Sequence, residues 1–384
     1  MKIESLKKVA VVGAGDMGHG IAQVALMGGY EVNLCDIKME FVEHGISRIY
    51  ASLEKLASKG RFSPEKLEDI RRGKLKGYDS IGEGVKDADF IIEVVPEKIP
   101  IKESVLGAIS ANCREDAIIA TNTSTMSISM LSGFVKHPEN FVGTHYFNPA
   151  ALMKLVEVVK GQRTSEATVA FTKNYVEKVG KTLVYAQKDT PGFIANRVAL
   201  PIILYNGCCL DVDGLTPEDI DISMHKVGDK MGHFEMTDFS GLDVQNACLE
   251  YYHNNLHTDY VPSKTALEHA ARGAYGKKTG SGYYDWTDGK RPVLDESKWT
   301  GTYRPELVFF IEANEATKLL EEGVCTLKEC DTAMLLGYSS VAPVAAIQEY
   351  EPAYVAAELN RLAEHFGKEV FRPTQTIING GYKF

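Results

Sequence analysis

Residues 9–18 read Val9-Ala-Val-Val12-Gly13-Ala-Gly15-Asp16-Met17-Gly18, a short apolar, β-branched run broken by a Gly-x-Gly-x-x-Gly turn. Val9–Val12 has the composition of a buried strand, and Ile21, Val24 and Ala25 beyond the turn keep helical spacing. In a strand–turn–helix unit the glycines permit a tight turn, close approach of backbone amides to a pyrophosphate, and close helix–strand packing. The helix amino terminus then stabilises the anion. Asp36 ends the next apolar run, 21 residues after Gly15. A carboxylate there accepts both adenosine ribose hydroxyls and repels a 2′-phosphate. Gly13, Gly15, Asp16, Met17, Gly18 and Asp36 are therefore the candidate cofactor residues. NAD is favoured over NADP, which Lys38 nearby leaves open. A glycine turn in a sheet protein that binds no dinucleotide is the other reading.

Outward from this unit, Val32–Cys35, Phe90–Val95, Ala117–Thr121, Phe141–His145, Leu155–Val159 and Thr182–Ala186 are further strand-like runs. Helical spacing lies between them, at Ile46, Ile49, Leu53 and Leu56 and again over residues 165–179. This alternation predicts parallel strands with crossover helices, an α/β Rossmann-type doubly wound sheet. The pattern changes at Asp189-Thr190-Pro191-Gly192, where Thr190 is read as the cap of a helix beginning at Pro191. Beyond it the chain reads as helical. The expected domains are residues 1–188, binding the dinucleotide; 189–300, a helical substrate and dimerisation-type domain; and 301–384, a second helical repeat. That last division rests on Thr216-Pro-Glu-Asp-Ile-Asp-Ile-Ser-Met224, which returns 110 positions later as Thr326-Leu-Lys-Glu-Cys-Asp-Thr-Ala-Met334. Duplication and a coincidence of two helix starts both fit.

The chain's 384 residues suffice for two or three domains. Hydrophobic residues at 44% and charged residues at 24% exclude a disordered or fibrous chain. Against 42 basic stand 52 acidic side chains, a net charge of −10, which argues against nucleic acid as the main partner. No signal-peptide core fits residues 1–15, and no stretch approaches the roughly 20 apolar residues of a membrane span. The seven cysteines form no Cys-x-x-Cys pair, which suggests reduced thiols, a cytoplasmic enzyme and no metal site.

Three polar clusters fall at strand-like runs: Thr121-Asn-Thr-Ser-Thr125, Gly143-Thr-His145-Tyr-Phe-Asn148-Pro149, and Glu157 within Leu155-Val-Glu-Val-Val159. Ligands of open α/β sheets bind beyond the carboxyl ends of strands, which puts Ser124 and His145 in the right layer. A carboxylate in an apolar strand needs a partner or becomes protonated. An imidazole would satisfy it, and the carboxylate would in turn fix the imidazole's tautomer and raise its basicity. Such a couple can take a hydroxyl proton while hydride leaves the carbinol carbon for a nicotinamide. A structural His145 and a solvent-facing Glu157 are the alternatives.

Together, Gly-x-Gly-x-x-Gly, Thr-Asn-Thr-Ser, His-Tyr-Phe-Asn-Pro, Leu-Val-Glu-Val, Asp-Thr-Pro-Gly-Phe-Ile-x-Asn-Arg and Gly-Lys-Lys-Thr-Gly-x-Gly occur in one order. In this the chain resembles the L-3-hydroxyacyl-CoA dehydrogenases, over residues 7 to about 287. The resemblance implies NAD-dependent, reversible oxidation of an (S)-3-hydroxyacyl-CoA. It implies His145 as general base, Glu157 as its orienting partner, Ser124 bonding the substrate oxygen, and Asn196, beside Arg197, holding the reacting group. Glu97, Lys102, Asn148 and Lys278 align with further NAD contacts, and Ser52 and Lys59 with coenzyme A contacts. Lys59 as one more solvated lysine remains the other reading.

The chain also departs from the family pattern. The interval from Glu157 to Asn196 is one residue longer than expected, and Met-Gly-Pro-Phe-Glu reads Met231-Gly-His233-Phe-Glu235. His233 is open to two readings, a cleft residue or a surface-turn histidine. The family's shorter members stop near residue 300. The segment 301–384 resembles the second helical copy of members fused to an enoyl-CoA hydratase, and with it the chain is either a monomer with an internal pseudo-dimer or a homodimer. Two rival functions stand beside the first: a gulonate-type hydroxy-acid dehydrogenase, and a non-catalytic, crystallin-like NAD-binding protein.

Overall fold

The computed structural model describes residues 3–384. They form two compact units, one ending at Phe193 and the other spanning Ile194–Phe384. The first is built on eight strands: β1 Lys8–Val12, β2 Glu31–Cys35, β3 Leu75–Tyr78, β4 Phe90–Glu93, β5 Ile118–Thr121, β6 Phe141–Tyr146, β7 Leu155–Val159 and β8 Thr182–Ala186. Their spatial order is β3-β2-β1-β4-β5-β6-β7-β8. Strands β4 to β7 are buried along their whole length. Helices cover the sheet, which explains why its strands are continuous apolar runs rather than alternating ones. Ile21, Ala25, Ile49, Leu53, Phe171 and Tyr175 are among the helical residues in this core.

The structure corrects the sequence reading at three points. Strand β3, Leu-Lys-Gly-Tyr, is an edge strand with too little apolar character to register as one. Strands β6 and β7 are antiparallel, not parallel. Residues 147–154 between them hold no helix and are too few for a parallel crossover, which takes about a dozen or more. Finally, no helix begins at Pro191: the Phe193 N–H donates to the Thr190 carbonyl at 3.0 Å, and Phe193 takes a left-handed φ of 54°. A bulky residue in that region interrupts a right-handed helix, and the first helix is Ala195–Ala199.

The second unit is helical. The Thr216 hydroxyl caps helix Pro217–Lys226 by accepting from the Asp219 N–H, and the Thr326 hydroxyl caps helix Leu327–Ala333 by accepting from the Glu329 N–H. Helices starting at Pro217, His233 and Leu242 have counterparts starting at Leu327, Pro343 and Pro352, each 110 residues on. Asp221 accepts from the Phe234 and Glu235 amides, and Asp331 accepts from the Val344 and Ala345 amides, at the same sequence intervals. Among the described residues no helix is long and apolar enough to cross a membrane, and all seven cysteines are free thiols.

Candidate active site

The glycine loop between β1 and helix Asp16–Met27 divides into residues the fold needs and one it leaves open. Gly13 has φ 111°, and a Cβ on it would lie 2.6 Å from the Val94 carbonyl oxygen. A Cβ on Gly18 would fall 1.7 Å from the Gly13 carbonyl oxygen. A Cβ on Gly15 would meet no protein atom within 4 Å, so it would project into open space at the helix amino terminus. No side chain caps that terminus. Asp36, at the end of β2, accepts the Ala14 N–H at 2.7 Å and the Ile37 N–H at 2.7 Å. An uncapped helix start under an open cradle, with a carboxylate alongside, fits the pyrophosphate and ribose of NAD. Asp16 is exposed and paired with Arg48 at 2.6 Å, while Met17 packs on the core. Lys38 pairs with Glu40 at 3.3 Å.

In the antiparallel register His145 stands directly opposite Glu157. The imidazole Nδ1 lies 2.5 Å from Glu157 Oε2. Glu157 is fully buried and His145 is 7% exposed, so the solvent-facing reading of Glu157 fails. Phe147 and Phe193 flank the imidazole, with ring centroids 4.6 and 5.9 Å away. With Nδ1 committed to the carboxylate, Nε2 is the nitrogen left for proton transfer.

The strand ends beside β6 form one network. Glu97 accepts from the Ser124 N–H at 2.7 Å and from the Thr123 hydroxyl at 3.0 Å, which holds Ser124 in place. Lys102 is buried, its ammonium 2.9 Å from Glu93 and 3.5 Å from Glu97. Glu93 also accepts the Thr121 hydroxyl at 2.6 Å and the Val95 N–H at 2.7 Å. Asn122 Oδ1 accepts the Tyr146 N–H at 2.8 Å, tying this loop to the strand that bears His145. Asn148 is exposed just beyond that strand. Lys181 donates to the carbonyls of Ala150 and Met153, both at 2.6 Å, and so clamps the turn that follows Asn148. Burial lowers the pKa of Lys181 to about 8.

The remaining candidates are spread over both units. Ser52 lies half buried on helix Met39–Ser58, and Lys59 is exposed at its C-cap. In the second unit, Asn196 Oδ1 accepts the Tyr338 hydroxyl at 2.7 Å, and Lys278 pairs with Asp243. His233 is not a surface-turn residue. It opens helix His233–Ser240 half buried, and its Nδ1 accepts from Asn206 at 2.7 Å. Sequence reasoning missed Glu93 and Phe193. The clue that exposed Glu157, a carboxylate in an apolar strand, was equally present at Glu93.

Residues 8–190 match the NAD binding domain of 3-hydroxyacyl-CoA dehydrogenase, and residues 192–286 match its C-terminal domain. A 3-hydroxybutyryl-CoA dehydrogenase of Bradyrhizobium diazoefficiens is 34% identical over 297 residues, covering 75% of this chain and 98% of that one. A fatty acid oxidation complex subunit alpha of Pseudomonas aeruginosa is 30% identical over 99% of this chain, which spans 56% of the length of that relative. A crystal structure of 3-hydroxybutyryl-CoA dehydrogenase from Escherichia coli superposes with a TM-score of 0.88 at 27% identity, covering 99% of this chain and 100% of that one. The chain therefore belongs to the 3-hydroxyacyl-CoA dehydrogenase family of NAD-dependent oxidoreductases.

Proposed function

We propose that this protein oxidises short (S)-3-hydroxyacyl-CoA thioesters to 3-oxoacyl-CoA, reversibly, with His145 as the general base. The observation that carries this reading is the 2.5 Å contact between His145 and the buried Glu157, in the same unit as the open glycine cradle. Bound NAD supplies the hydride acceptor. His145 Nε2 takes the hydroxyl proton, and Glu157 holds the ring and stabilises the imidazolium that forms. Ser124 and Asn196 hydrogen-bond the oxygens of the reacting end. General-base help of this kind contributes roughly 10²–10⁴-fold, with positioning adding much of the rest. Glu97, Lys102, Asn148 and Lys278 serve the NAD site, Lys102 by holding Glu93 and Glu97 in place. Ser52 and the exposed Lys59 meet coenzyme A, whose phosphates call for a cation. The preference for short acyl chains is supported by the names of the Bradyrhizobium relative and the E. coli structure.

Residues 301–384 are a second copy of the helices from 201 to 271. The matching helix starts and the paired roles of Asp221 and Asp331 support this reading. The copy takes the place of a second subunit, so the protein is a monomer, and light scattering that finds a tight dimer would reject this assignment. The test of the activity is initial rates with acetoacetyl-CoA, longer 3-oxoacyl-CoAs and gulonate, each with the NAD and NADP couples. Turnover of the thioesters with NADH is the expected result. Turnover of gulonate alone, or NADH binding without any turnover, rejects the proposal.

A further inference from the structure

The backbone pairing of β5 with β6 ends where Thr121 stands opposite Gly143, while β6 itself runs on to Tyr146. Ser124 and His145 both lie past that last pair, Ser124 on the loop after β5 and His145 near the end of β6. The ladder between these strands therefore does not fix one against the other. A side chain does so instead. Asn122 Oδ1 accepts the Tyr146 N–H at 2.8 Å. Tyr146 is buried, where an N–H without an acceptor is costly.

That N–H belongs to the peptide unit joining His145 to Tyr146. The bond thus holds the main chain of His145, as Glu157 holds its ring. Asn122 is itself anchored from β4. Its own N–H donates to the Glu93 carbonyl at 2.8 Å, and the Thr121 hydroxyl before it donates to the buried Glu93 carboxylate at 2.6 Å. Two residues on, the Ser124 N–H donates to Glu97 at 2.7 Å. Asn122 therefore joins the ends of three parallel strands, β4, β5 and β6, at the edge where ligands of such sheets bind. An amide oxygen suits the place, because it satisfies an N–H without adding a charge beside the imidazole.

We propose that Asn122 is a positioning residue for the reaction, setting His145 against Ser124 so that both reach the same oxygen of the acyl-CoA. This rests on the functional reading above, in which His145 and Ser124 act on that oxygen. The experiment compares wild type, Asn122→Ala, Asn122→Leu and Ser124→Ala, and Asn122→Ala combined with Ser124→Ala, all in the full chain. Leucine fills the space of the amide without an acceptor, and both substitutions keep the backbone bond to Glu93. The readouts are kcat for acetoacetyl-CoA with NADH, NADH affinity by fluorescence, and Tm. Loss of the acceptor is expected to lower Tm and, at a temperature where the variants are fully folded, to lower kcat about 10- to 100-fold with NADH affinity unchanged. In the Ser124→Ala background the further loss is expected to be smaller, because the bond serves the spacing of that pair. A variant that loses Tm alone and keeps the wild-type kcat shows a purely structural bond and overturns this inference. Losses that multiply independently, a matching loss of NADH affinity, or a chain that folds with neither substitution overturn it as well. A wild type that reduces no acyl-CoA overturns the functional reading, and this inference with it.

Discussion

His145 and Glu157 are direct cross-strand partners, with Nδ1 2.5 Å from Oε2, because β6 and β7 run antiparallel with these two residues in register. A shift of one residue would turn one side chain to the opposite face of the sheet and break the couple. The contact is thus a consequence of strand pairing, in a place where the carboxylate has no water to turn to.

His145→Gln is expected to abolish turnover while NADH binding and Tm persist, because the glycine cradle shares no hydrogen bond with the imidazole. Glu157→Gln is expected to lower kcat by about 10²-fold, within the range general-base assistance supplies. Steady-state rates beside a fluorescence titration check both. Equal loss of rate and NADH binding would mean damage to the fold.

The loop glycines separate stability from binding. Gly15→Ala places its methyl in open space, so Tm is expected to hold while the KM for NAD rises by about tenfold or more, as the methyl occupies the pyrophosphate's place. Gly18→Ala drives a methyl into the Gly13 carbonyl, and is expected to cost about 1–3 kcal/mol or more in urea unfolding. A stable Gly18→Ala protein with normal NAD affinity would contradict this division.

Arg197 keeps its charge in the interior through Glu315 and Glu322, and the two carboxylates hold its pKa well above the ordinary guanidinium range. Glu315→Ala leaves that charge without its closest partner and is expected to destabilise the chain by about 3–5 kcal/mol. Replacing Arg197 and Glu315 together by Met and Leu is expected to recover much of that loss, since the pair itself pays a desolvation penalty. Chemical denaturation of the three proteins measures it.

His233 gives a pH signature. Burial lowers its pKa to about 4, below the 6.5 of an open chain. Between these values the unfolded chain takes up a proton that the folded one refuses, so stability falls as pH drops from about 6.5 to 4. Asp229 lies 4.0 Å from His233 Nε2, beyond hydrogen-bond reach. His233→Gln keeps an acceptor for Asn206 and is expected to lose less Tm than wild type between pH 7 and pH 5. Identical losses would remove His233 as a cause.

The first strand and its glycine turn, the helical second half and the acid in Leu155–Val159 could be read from residue order, because each depends on local spacing and composition. β3 could not, since an edge strand needs little apolar character and Leu75-Lys-Gly-Tyr78 has little. The turn at Pro191–Ile194 looked like a helix start because capping residues carry no information about Phe193, three residues on, adopting a left-handed backbone. Lys102 aligns with a cofactor contact in the family, but that its buried ammonium pairs with Glu93 and Glu97 could be learned only from packing.

By itself, the order of residues determined a nucleotide-binding α/β half, a helical half, and the side chains able to move a proton. Covalent spacing and hydrophobic periodicity are enough for that. Tertiary structure alone decided which of those side chains meet: His145 with Glu157 across an antiparallel pair, Glu97 with Ser124 between neighbouring strand ends, and Asn196 with Tyr338 across 142 positions of sequence. Such meetings depend on strand direction, register and helix packing, which are set by how the whole chain buries its apolar surface rather than by the residues that meet.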